Sequence, residues 1–347
     1  MAYTTIDDPE AYFQTLLYSG NDSSSRALTN DGNSDLQPDL VWIKERSSTS
    51  GHKVLDSVRG GGLALTANTT AGDESFAFLS SFDSDGFTIG TSDGSTNASG
   101  DTYVAWQWKE SATAGFDIVT YTGNGTDDTD ISHNLSATPK MIIIKNRDAA
   151  DAWQVYHAAN TTSPETDYLV LDTNAVTADA ADRWSDEAPT SSVFTLGDAD
   201  EVNTDTEDYI AYCFADVQGY SKIGSYTGNG STDGTFVYTG FRPAFILHKR
   251  TDSITRANWL LFDNKRGGSG NYGSGRDPLS PDNSGNEADW TGRDWIDLLS
   301  NGFKFRGEHP SPAHSTNYGH DDGGTYVFIA FAEAPFVNSN GVPCNAR

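Results

Sequence analysis

Disulfide chemistry is almost excluded from the start, because 347 residues hold two cysteines, Cys213 and Cys344, too few for a cystine framework. Cys213 falls within an aromatic, strand-like segment and reads as a small buried apolar group. Basic residues are scarce as well. The 22 lysines and arginines face 49 acidic residues, and the resulting net charge of -27 repels phosphate backbones and anionic lipid. Nucleic acid is therefore not an expected partner. Solubility in a salty medium, where screening acts over about 10 Å or less, is the simplest account of the acidity. Long apolar runs are missing too: none approaches the ~18 residues of a membrane helix, so membrane insertion is not expected. The segment Met1 to Asp8 has neither the basic region nor the apolar stretch of a secretory signal. The chain is thus expected to be made in a cytoplasm and, if it works outside a cell, to leave by lysis or within a larger particle. Helical periodicity is nearly absent. The one helix-start signature is Asp8-Pro9-Glu10, an N-cap aspartate followed by proline, and a turn would use the same residues.

What is present is repetition. Tyr-Thr-Gly-Asn-Gly occurs at Tyr121 to Gly125 and at Tyr226 to Gly230, and a degenerate copy, Tyr18-Ser19-Gly20-Asn21, stands near the start. The three tyrosines are roughly 100 residues apart, the period of a small domain rather than of a solenoid rung. Three further landmarks recur in the same order. A proline precedes a lysine by six residues at Pro38/Lys44, Pro139/Lys145 and Pro243/Lys249. An aromatic turn and strand follows at Asp85 to Gly90, Ser192 to Gly197 and Asn301 to Phe305. An aromatic closing strand completes each copy at Thr102 to Trp108, Asp208 to Phe214 and Thr325 to Phe331.

These landmarks divide the chain into an N-terminal segment (1-10), three repeats (11-114, 115-218 and 219-337) and a tail (338-347), each repeat near the size of a domain. Glycine is plentiful, at 34 residues, and its many Asn-Gly, Asp-Gly and Ser-Gly pairs call for short strands joined by tight turns. Hydrophobic residues at 36% can fill several small cores, which the repeats favour over one large core. Met141 to Ile144 is a continuous apolar run, as expected of a strand covered on both faces, and Trp153 to Tyr156 is placed to return beside it as a hairpin. The expected fold is all-β: three tandem antiparallel β-sandwich units of jelly-roll or lectin-like type.

Residues able to carry chemistry are few. The acidic turns at Asp127, Asp128 and Asp130 and at Asp205, Glu207 and Asp208 arise naturally in so acidic a chain; no carboxylate beside a defined cleft marks a glycosidase pair, and the spacing of the calcium-binding helix-loop-helix motif is lacking. His309, His314 and His320 share one loop but match no zinc pattern. Asp56 and Asp263 each stand three residues before an arginine, Arg59 and Arg266, which suggests a local ion pair or turn. No metal and no cofactor is expected. The third repeat differs from the others by insertion, and its Tyr272, Arg276, Trp290, Arg293 and Trp295 form the one group suited to glycan or receptor binding, through ring stacking and hydrogen bonding. The simpler alternative is that the tryptophans only anchor the insertion.

The opening Tyr3 to Phe13, the Tyr-Thr-Gly-Asn-Gly turns, the span from Asp85-Gly-Phe-Thr-Ile-Gly90 to Tyr103-Val-Ala-Trp-Gln-Trp108, and Gly219 to Gly230 resemble repeat domains of virion structural proteins in tailed, mostly marine bacteriophages. The resemblance covers nearly the whole chain. It implies a non-enzymatic virion structural protein, a tail-fibre or receptor-binding appendage contacting a host surface glycan or receptor. It also implies other virion proteins of tail or capsid as partners, and by analogy a homotrimer. A capsid decoration or head-fibre protein is the alternative, and a surface-glycan hydrolase (depolymerase) is a third. No coiled-coil or β-helical shaft is evident, which favours a compact appendage over a free-standing fibre.

Overall fold

The computed structural model describes residues 2-266, 278-287, 296-306 and 321-344. The first unit comprises β1 (Phe13–Ser19), β2 (Arg26–Leu28), β3 (Leu40–Glu45), β4 (Lys53–Asp56), β5 (Leu63–Thr66), β6 (Glu74–Ser75), β7 (Leu79–Asp83), β8 (Gly86–Ile89) and β9 (Thr102–Trp108). The second comprises β10 (Phe116–Thr122), β11 (Thr129–Ser132), β12 (Met141–Asn146), β13 (Gln154–His157), β14 (Asp167–Val170), β15 (Ala178–Asp179), β16 (Val193–Leu196) and β17 (Asp208–Phe214). The third comprises β18 (Ser221–Thr227), β19 (Asp233–Tyr238), β20 (Phe241–Arg250), β21 (Leu260–Asp263), β22 (Ile296–Leu299), β23 (Gly302–Arg306) and β24 (Thr325–Pro335). Each unit is an antiparallel sandwich of one large and one small sheet. The large sheets run β1-β9-β3-β4-β5-β6, β10-β17-β12-β13-β14-β15 and β18-β24-β20-β21, and the small ones β2-β8-β7, β11-β16 and β19-β23-β22.

In every large sheet the closing strand lies between the first strand and the strand after the proline, which is why it is apolar at nearly every position. Its alternate residues serve two cores. Tyr103 and Ala105, Tyr209, Ala211 and Cys213, and Tyr326, Phe328 and Ala330 face the small sheet of their own unit. Val104, Trp106 and Trp108, Ile210, Tyr212 and Phe214, and Val327, Ile329 and Phe331 face inward and meet in one core common to all three units. Several small cores are expected from composition; the described residues form three of them and a fourth that joins them. A cavity of about 30 Å³ at the centre is bounded by residues of all three units, among them Trp42, Trp108, Ile143, Phe214, Phe245 and Phe331.

The repeated landmarks have physical roles. The tyrosine of the Tyr-Thr-Gly-Asn-Gly phrase lies opposite the tyrosine of the closing strand, and the rings stack in parallel at 5.1 Å (Tyr18/Tyr103), 5.1 Å (Tyr121/Tyr209) and 4.9 Å (Tyr226/Tyr326). The glycine turn beyond it is tied down by a buried asparagine: Asn124 N donates to Asn203 Oδ1 at 2.9 Å, and Asn21 N to Asn97 Oδ1 at 3.3 Å. The lysine after the proline is buried in each copy, with Nζ donating to the Glu45, Asn146 and Ala257 carbonyls at 2.6, 2.5 and 2.6 Å. Burial brings all three ammonium groups down to about 8. Asp8 caps a short 3-10 turn, Pro9–Ala11, as its sequence suggested.

Three seams close the units into a ring, and equivalent residues build each one. Asp56, His157 and Asp263 all end the strand that returns beside the post-proline strand. Each is met by the closing strand of another unit: Tyr212 donates to Asp56 at 2.8 Å, Trp106 Nε1 to Asp263 at 3.0 Å, and His157 Nε2 contacts the Phe328 carbonyl at 3.2 Å. Further along, Asp73 N donates to Arg147 O at 2.7 Å, Thr177 N to Thr251 O at 3.0 Å, and Glu287 N to Arg46 O at 2.9 Å. Trp153 and Trp259 reach across to the Thr69 and Val170 carbonyls at 3.2 and 2.8 Å. His52 holds the same position in the first unit and lies toward the Ser280 backbone, its Nε2 short of hydrogen-bond geometry. The second unit thus binds the first, the first the third, and the third the second. That cyclic order is how a closed ring of identical subunits is assembled, built here within one chain.

Candidate recognition face on the third unit

Matching positions identify scaffold, so a working surface is sought where the copies differ. In the small sheets, Leu28 pairs with Phe87, Ile131 with Phe194 and Val237 with Phe303, which aligns β2, β11 and β19. The residues flanking that position point outward. They are Ala27 and Thr29 in the first unit and Asp130 and Ser132 in the second, all small or polar, but Phe236 and Tyr238 in the third. Phe236 is 43% exposed and Tyr238 56%, on a strand whose intervening Val237 is buried at 6%. Alternation in β19 has therefore placed two large rings in solvent.

Each ring has a neighbour at its base or tip. Gly302 lies beneath the first, since a Cβ there would come 3.0 Å from Phe236 Cε2 and 2.1 Å from the Val237 carbonyl oxygen. The Tyr3 hydroxyl donates to the Gly240 carbonyl at 2.8 Å and lies 3.3 Å from the Tyr238 hydroxyl, at the far end of that ring. Burial, reinforced by the Tyr238 hydrogen bond, raises the Tyr3 phenol above its ordinary range. Gly240 adopts φ +85°, and a side chain there would strike the Tyr3 hydroxyl at 2.8 Å.

Beside the rings lies a row of paired charges. Asp233 bonds Lys304 at 2.8 Å and also Arg306, whose Nε meets Asp297 at 2.6 Å. The hydrogen bond from Lys304, with the charge of the same lysine next, holds the Asp233 carboxyl below the usual carboxylate range. Asp297 likewise raises the Arg306 guanidinium. A carboxylate held ionised accepts hydrogen bonds and does not act as a general acid. The arrangement offers stacking and hydrogen bonding, the chemistry of binding.

Tyr272, Arg276, Trp290, Arg293 and Trp295, nominated from sequence, lie outside the described residues, as do His309, His314 and His320. The acidic turns are engaged locally: Asp127 accepts from Ser185 at 2.8 Å and Asp130 from Thr195 at 2.9 Å. No group of three or more His, Cys, Asp or Glu side chains is arranged to hold a metal among the described residues. Asp56 and Asp263 do form the expected ion pairs with Arg59 and Arg266, at 2.6 and 2.5 Å. Phe236 and Tyr238 were missed in the sequence. Their signal was available in the pattern Phe-Val-Tyr standing where the second copy has Asp-Ile-Ser.

The fold and this face together define an all-β scaffold of three joined units with one differentiated surface. The chain belongs to the family described as a domain of unknown function (DUF7483), whose model matches residues 8–335. One family model thus spans all three units, in keeping with their common core. No curated protein and no solved structure matches the chain.

Proposed function

We propose that the protein is a structural component of a bacteriophage virion, a tail-fibre or receptor-binding appendage that attaches the particle to a host surface by binding rather than by catalysis. The observation that carries this reading is the outward aromatic pair Phe236 and Tyr238, which only the third unit displays on an otherwise repeated scaffold. The resemblance of the repeats to virion proteins supplies the setting: synthesis in the host cytoplasm, assembly with tail or capsid proteins, and release with the particle. A homotrimer of such chains would carry three faces, and avidity from holding them together would let each bind weakly. The internal threefold ring favours a second reading, a capsid decoration or head-fibre protein, because a closed threefold body suits a threefold position on a shell.

Gold-labelled antibody against the chain, applied to intact virions, tests both readings. Label at the tail is the expected result. Label confined to the shell selects the decoration reading, and particles without label overturn both.

A further inference from the structure

We infer that the outer face of β19 and β23 is a binding site for a neutral hexose oligosaccharide, with Phe236 and Tyr238 as the stacking platform and Asp233 as the principal hydroxyl acceptor. This inference rests on the adhesion reading for its biological sense, and on the geometry of the face for its chemistry. Phe236 and Tyr238 are two residues apart on one strand, so their rings emerge on the same side at about 7 Å spacing. Neither forms a ring pair with another described aromatic; Phe236 lies over Gly302, and the Tyr238 hydroxyl lies 3.3 Å from that of Tyr3. A flat apolar surface flanked by polar groups suits a pyranose ring, which presents C–H bonds on its face and hydroxyls at its edge.

The charges select among sugars. Lys304 and Arg306 are matched by Asp233 and Asp297, so the row beside the rings has no net charge. A chain of net charge -27 repels an anionic polysaccharide from a face with no excess cation. Neutral hydroxyls meet no such barrier. Asp233, whose side chain is 70% exposed, keeps lone pairs beyond those used by Lys304 and Arg306 and can accept from two adjacent hydroxyls. The equivalent faces of the first two units lack the rings, so one chain has one such site.

The test is an array of neutral hexose oligosaccharides printed beside uronic-acid oligosaccharides of matched length, probed with the full chain. Retention on neutral members is expected. The Phe236→Ala/Tyr238→Ala variant should lose about tenfold or more in binding while its thermal unfolding is unchanged. Tyr238→Phe, which keeps the ring, should retain binding, and Asp130→Ala on the second unit should change nothing. Four results would overturn the site: no neutral member bound, preference for the acidic sugars, binding unaffected by the double variant, or a double variant that alters only self-association. The adhesion reading is tested separately, since the label on virions does not depend on this face.

Discussion

At the repeat-equivalent positions, two seams of the ring carry ion pairs and the third does not, its one unit-to-unit ion pair among the described residues, Asp216 with Lys222 at 2.8 Å, lying at the chain crossover. Between the first and second units, Asp56 holds Arg59 and accepts from Tyr212, while Asp73 bridges Arg59 and Arg147 at 2.6 and 2.9 Å. Between the third and first, Asp263, Arg266, Glu287 and Arg46 repeat the design. Between the second and third, the same positions carry His157, Asn160, Thr177 and Thr251; neutral hydrogen bonds such as Thr177 N to Thr251 O at 3.0 Å cross the seam, and Thr177 Oγ1 donates to Asn160 Oδ1 at 2.7 Å within the second unit. One geometry is therefore served by two chemistries. The difference shows that position in the ring, not the identity of the polar group, is what the repeat preserves, and it gives the seams different sensitivities.

The largest effect is expected where a buried charge loses its partner. Asp56→Ala leaves Arg59, with no side-chain exposure, only Asp73 as a carboxylate partner and removes the acceptor of Tyr212, and should cost about 3 kcal/mol in urea unfolding. Thr177→Val at the neutral seam removes one uncharged hydrogen bond and should cost about 1 kcal/mol. Equal losses at the two seams would dissolve the comparison.

Acid should probe the neutral seam next, through a variant at His157, since burial also holds the His52 imidazole low at the seam between the first and third units. Ala159 N donates to His157 Nδ1 at 3.2 Å, so the ring proton sits on Nε2 and is given to the Phe328 carbonyl; protonating Nδ1 breaks the first of these bonds. Burial pushes this imidazole down to about 4 from its ordinary 6.5. The unfolded chain therefore binds the extra proton first as pH falls, and the stability this group contributes is intact above 6.5 and lost progressively toward 4. The loss amounts to about 3 kcal/mol at pH 4, and His157→Gln, compared with the parent at pH 7 and pH 4.5, should show a shallower decline. An unchanged slope would mean that the imidazole is not buried at the seam.

Much of this architecture was legible in the chain. The tyrosine phrase, the proline–lysine interval and the closing strand marked three copies, and each landmark proved to be a stack, a buried ammonium or a central strand. The Asp-Arg spacing foretold a real ion pair. The ring was not legible, because tandem copies read equally well as separate units, and contacts such as Trp106 to Asp263 join different positions of different copies. The candidate face was hidden for another reason. The long insertion after Arg266 drew attention to loops, whereas the informative change was two outward residues of an ordinary strand, Phe236 and Tyr238.

The smallest expected effect on stability is also the most decisive for function. If matching positions are scaffold and divergent ones carry the activity, then giving β19 the outward residues of β11, as Phe236→Asp/Tyr238→Ser, should shift unfolding by no more than about 0.5 kcal/mol. Binding of this folded variant to the neutral oligosaccharide array is the direct measurement. The account predicts that binding is abolished, and retention at the parent's level would contradict it.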